Sequence, residues 1–172
     1  MARIDEFLGD PQIESRHEKR VVASPRDAFR AALQLDVSDS WIVGALFRLR
    51  GLPKQAMGLQ DLEQLGFVAL AREEDQEIVY GLVGQPWRLS GNLQSVSAED
   101  FSKFNDPGFA KVAWNFYVSA LSDTSTLLST KIRIRCTDPV SARRFALYWA
   151  LIGPVSGLIR KVMLDSIARG PE

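Results

Sequence analysis

The last fifty residues constrain the fold of this chain more than any other stretch. An alternating run, TLLSTKIRIRC (Thr126 to Cys136), passes through Thr137-Asp138-Pro139 into VSARRFALYWALIGPVSGLIRKVMLDSIARG. In the first part Leu128, Thr130, Ile132, Ile134 and Cys136 alternate with Ser129, Lys131, Arg133 and Arg135. That is the period of a strand with one face to a core and, as expected from its charge, the other to water. Thr137 or Asp138 can cap a helix, and Pro139 is preorganised for its first turn. The text beyond predicts a helix of up to about 28 residues, longer than the ~8–20 of ordinary globular helices. From Phe145 to Ile159 it carries no charge. An apolar zone wider than an amphipathic stripe is expected to be covered nearly all round. Gly153-Pro154 predicts a kink near Leu151, because proline removes a donor and clashes with the preceding turn.

Such a helix needs a large partner surface, and the rest of the chain supplies strands for one. Strands are expected over residues 15–23, 66–72, 77–83, 111–121 and 127–136, and a short one over 85–89 that Pro86 confines to an edge or a start. In the fourth, Val112, Trp114, Phe116 and Val118 form the apolar face and Lys111, Asn115, Tyr117 and Ser119 the mixed one. A half-wet antiparallel sheet is the natural expectation. Ser24-Pro25-Arg26-Asp27 opens a helix to about Leu35, with Ala28, Phe29, Ala32 and Leu33 on one side. Asp39 or Ser40 opens a second, SWIVGALFRLRG, stopped by Gly51 and Pro53. Residues 1–14 form an arm over the surface, and 90–108 a long loop with a helical turn near 98–104.

Length sets one domain over residues 1–172, large enough to bury about 70% of its unfolded surface. Twenty-one basic residues balance twenty-one acidic ones, so no net field draws nucleic acid. No apolar leader opens the text, and Cys136 is the single cysteine. Both features fit a reducing cytoplasm, and Cys136 is expected to pack as a small core residue. The uncharged segment falls short of the ~20 residues that span a bilayer, so no transmembrane segment is expected; a homodimer contact stays open. His17, the one imidazole, lies among Glu14, Arg16, Glu18 and Lys19 and is expected to be solvated. No metal and no cofactor is expected, since no His, Cys or carboxylate set has ligand spacing. The glycines form no phosphate loop.

Strand, two helices, antiparallel strands and a long closing helix resemble the helix-grip fold of the START/polyketide-cyclase-like (SRPBCC) superfamily. The text STKIRIRCTDPVSARRFALYWALIGPVSGLIRKVML is similar to the closing segment of bacterial members of unknown function. The resemblance implies an α+β domain whose curved sheet and closing helix enclose a cavity for an apolar or amphipathic small molecule. It carries over no catalytic motif.

Tyr80, Trp114, Phe116, Thr130, Ile132, Tyr148, Trp149 and Ile152 are the candidate lining of such a cavity, because aromatic side chains offer rigid apolar walls and a polar head. They could equally fill a core. The leading function is binding of a hydrophobic or amphipathic small molecule, as carrier or sensor, with no catalytic residue. A cyclase- or dehydratase-like enzyme, with Tyr80, Tyr148 or a loop carboxylate moving protons, is the alternative. A protein-interaction module built on the uncharged helix is a third.

Overall fold

The computed structural model describes residues 2–35 and 59–169. The second helix expected from Asp39 or Ser40 lies outside the described residues. The elements run α1 (Ile4–Phe7), β1 (Ile13–Val21), α2 (Pro25–Leu33), a 3-10 turn (Leu59–Leu65), β2 (Val68–Glu73), β3 (Glu77–Gly84), α3 (Ala98–Phe101), β4 (Ala110–Ser122), β5 (Ser125–Cys136) and α4 (Pro139–Arg169). The strands make one antiparallel sheet in the order β1-β5-β4-β3-β2. The first strand thus joins the last, and α4 returns from β5 across the face that β1, β5 and β4 share. This is an α+β helix-grip arrangement.

Local chemistry sets the ends of these elements. The Ser24 hydroxyl accepts the Asp27 amide at 3.2 Å and Pro25 opens α2. Asp138 caps α4: its Oδ1 accepts the amides of Val140 and Ser141 at 2.9 Å each. Its Oδ2 takes the Ser141 hydroxyl and the Gly108 amide at 2.6 Å each. Those bonds, the Ser141 hydroxyl first, hold the Asp138 carboxyl down at about 2. The same residue therefore starts the long helix and anchors the loop entering β4. α4 runs unbroken for 31 residues with Pro154 inside.

Three expectations are overturned. Residues 85–89 form turns, with the Arg88 amide donating to Gln85 O at 2.9 Å and the Gly91 amide to Arg88 O at 3.0 Å. The sheet is half wet only along β1 and the end of β5, where Glu14, Arg16, Glu18, Arg20 and Arg135 are exposed, because α1 and α3 cover the outer side of β2, β3 and β4, where Ile4, Leu8, Leu70, Val79, Val83, Phe101 and Ala113 form a second core. The arm brings Asp5 onto the charged side of β5, 3.0 Å from Lys131 Nζ and 2.7 Å from Arg133 Nη1. Finally, the uncharged part of α4 is not covered all round: Leu147 is 79% and Leu151 75% exposed, and Leu158 is also exposed.

Candidate functional site between the sheet and the closing helix

Parity along the strands decides what enters the layer under α4. Ile78 and Tyr80 of β3, Trp114, Phe116 and Val118 of β4 and Leu128 of β5 share a core cluster with Phe29 of α2 and Met163, Leu164 and Ile167 of α4. Tyr80 lies opposite Trp114, Trp114 opposite Ile132 and Phe116 opposite Thr130. The Trp114 indole donates to Thr130 Oγ1 at 2.7 Å, and that hydroxyl donates to Asn115 O at 2.8 Å. Trp114 and Phe116 rings are 5.4 Å apart. Burial first, and then the Glu63 carboxylate, push the Tyr80 phenol up.

Tyr148 and Trp149 belong to a different group. They pack on Phe145 with ring centroids 5.6 and 5.8 Å away, and Trp87 meets Phe145 edge-on at 6.3 Å. This cluster sits over Val112, Ile134 and Cys136. Ile132 touches both clusters, whereas Ile152 is half-buried. The candidate lining thus divides into two apolar groups along α4.

The polar residues of this layer were not among the candidates. On β1, Ile13, Ser15, His17, Lys19 and Val21 are the less exposed set, and Glu14, Arg16, Glu18 and Arg20 the exposed one. The charged neighbours that suggested a solvated His17 point mostly the other way. Its Nε2 is buried with no hydrogen-bond partner and lies beside Gly157, where a Cβ would stand 3.3 Å away. Burial, then Arg160 and Lys161, lower its pKa, so the ring stays neutral near neutral pH. Gly153 makes similar room for the Trp149 indole, whose Nε1 would be 2.9 Å from an added Cβ. With Ser156 between them, these glycines leave this stretch of α4 facing the sheet with small side chains.

Arg160, next to Lys161, reads from sequence as part of the polar side of α4. It falls instead on the side of Met163, Leu164 and Ile167 and is 3% exposed. Its Nη1 donates to Ser15 O and its Nη2 to Ser15 Oγ, both at 3.0 Å, and its Nε donates to Ser156 O at 3.3 Å. Among the described residues no carboxylate pairs with it, and burial lowers its pKa to about 10. A guanidinium has five N–H donors, so two are left over from these bonds. Trp87 Nε1 is a second buried polar atom of this layer without a hydrogen-bond partner, at its aromatic end.

Among the described residues no group of three His, Cys, Asp or Glu could hold a metal. Cys136 is buried, and burial, with Asp138 adding to it, pushes the thiol up to about 11, far from a thiolate nucleophile. No family model and no curated protein matches the chain. Among solved structures, TTHA0849 from Thermus thermophilus is similar at a TM-score of 0.29 and 12% identity, over 92% of this chain and 93% of that one. A likeness of that size carries no argument, and the strand order and register stand by themselves.

Proposed function

We propose that the protein binds an amphipathic small molecule between the sheet and α4, as a carrier or sensor, in the manner of the START/polyketide-cyclase-like superfamily. The apolar body lies along the aromatic inner face, and the polar or anionic head meets Arg160 and His17. The observation that carries this reading is the guanidinium of Arg160, buried in an aromatic layer and bonded, among the described residues, only to uncharged oxygens. A buried charge without a counter-charge is costly. A ligand carboxylate or phosphate would offset that cost through charge-assisted hydrogen bonds worth about 1.5–3 kcal/mol each.

Native mass spectrometry of the gently purified protein, joined to a titration with dodecanoate read by tryptophan emission, tests the proposal. One bound small molecule per chain and a saturable emission change are expected. A protein that carries nothing and shows no saturable change would refute it.

A second reading, a cyclase- or dehydratase-like enzyme, gains support from the buried, neutral His17 Nε2. That nitrogen could accept a proton from a bound substrate. On this reading His17→Ala abolishes turnover while leaving dodecanoate binding within reach of wild type.

A further inference from the structure

The opposite face of the sheet holds a cleft. α1 and the residues that follow it, the segment after α3, and the adjoining ends of β4 and β5 enclose a cleft of about 490 Å³. Its wall carries three cations, Lys103, Lys111 and Arg135, against one carboxylate, Glu6. Glu6 already pairs with Arg3 at 3.2 Å. Among the described residues none of the three cations has a carboxylate partner.

Lys111 is the most unusual of them. Strand parity turns it outward beneath α3, where it is only 6% exposed. Its ammonium donates to Ser102 O at 2.9 Å and Phe104 O at 3.1 Å and lies 5.3 Å from the centre of the Phe101 ring. Those partners are neutral, and the third N–H of the ammonium is unused. Arg135 spends one N–H on Gly9 O at 3.3 Å, which leaves most of its fork available. Burial first and the charge of Arg135 second lower the Lys111 pKa, as expected where like charges share a site. Phe7, Leu8 and Phe104 supply apolar wall.

We propose that this cleft binds a small organic anion, a phosphate or carboxylate on a compact apolar body, through Lys111 and Arg135. The volume falls in the range of small-molecule sites, roughly 300–1,000 Å³, and exceeds what a bare inorganic anion fills. Of its lining only Cys136 also belongs to the layer under α4, and neither Lys111 nor Arg135 does, so the site stands or falls separately from the ligand proposed there.

The test is amide chemical-shift titration of the full chain with phenyl phosphate, benzoate, inorganic phosphate and phenol. Phenyl phosphate and benzoate should give saturable shifts centred on Lys103, Phe104, Lys111 and Arg135, with inorganic phosphate weaker and phenol weakest. Arg135→Gln, at an exposed position, should weaken phenyl phosphate roughly tenfold or more, the loss of a charge-assisted contact. Lys111→Met should abolish binding; should that variant fail to fold, Arg135→Gln decides by itself. No saturable shift in the wild type, equal affinity in Arg135→Gln, or phenol binding as well as phenyl phosphate would each overturn the proposal.

Discussion

Each face of the sheet carries a covering layer, the outer one over β2, β3 and β4 with the outer side of β1 left exposed, and the two layers differ in how they hold their buried polar groups. On the outer face two four-residue helices cover a small core, and its central carboxylates are fully engaged. Glu77, 1% exposed, accepts the amides of Arg3 at 2.6 Å and Ile4 at 3.3 Å and the Asn115 side chain at 2.6 Å. Asp5 is matched by Lys131 and Arg133. On the inner face a 31-residue helix covers a much larger aromatic layer, where among the described residues Arg160 has no counter-charge and His17 Nε2 and Trp87 Nε1 have no hydrogen-bond partner; the outer face has its own exceptions in Lys111, held by carbonyls alone, and Arg133 Nε. A satisfied buried network fixes a structure. Unsatisfied groups in an apolar layer are the ones the proposed ligand would engage.

The hardest way to break this comparison is to truncate one large ring on each side. Phe101→Ala on the outer face and Phe116→Ala on the inner face should each cost about 3–5 kcal/mol in denaturant unfolding, because both rings are fully buried. A Phe101→Ala loss near zero would show that the outer layer is a mere flap. Next in size, Glu77→Leu should cost roughly 2–4 kcal/mol, since it strands buried donors. Hydrogen exchange should then show the Ile4 amide opening ahead of the β4 and β5 amides. Equal protection of that amide in both proteins would contradict the role of Glu77 in holding α1.

His17 sharpens the comparison through pH. Its folded pKa lies below the ordinary 6.5, so on acidification the unfolded chain takes up a proton before the folded one does. Stability from this residue is present above pH 6.5, is lost as pH falls toward the folded value, and levels off below it. His17→Gln should flatten that part of the stability profile, and an unchanged profile would place the ring in water. The smallest effect belongs to the outer side of α4. Leu147→Lys and Leu151→Lys should each shift stability by no more than about 0.5 kcal/mol, whereas a loss of several kcal/mol would show that this side is covered.

Much of the fold was legible because it depends on local signals. Ser24 and Asp138 as caps, Pro139 at the first turn, and the alternation of β4 and β5 gave element positions to within a few residues. The outer layer was not legible, because four-residue helices have no periodicity and Asp5 meets Lys131 and Arg133 only after the chain folds back across the sheet. The site was legible in half. Large inward aromatics such as Tyr80, Trp114 and Phe116 announce themselves, but a buried cation looks like a surface one until its parity is counted. Val21 is the buried end of β1, and counting backward by twos gives Lys19, His17 and Ser15. Arg160 likewise stands three, four and seven residues before Met163, Leu164 and Ile167, the spacing of one helix face. Charge type drew attention away from a position that spacing alone assigns.

The most direct measurement compares Arg160→Met with wild type for two ligands of equal chain length, dodecanoate and dodecanol, while following the ligand-free melting temperature. Methionine preserves length and apolar bulk and removes the charge. Dodecanoate affinity should fall roughly tenfold or more, the size of a lost charge-assisted bond, while dodecanol affinity and ligand-free stability stay near wild type. Equal loss for both ligands, or no loss for either, would contradict Arg160 as the head-group partner and return it to a purely structural role.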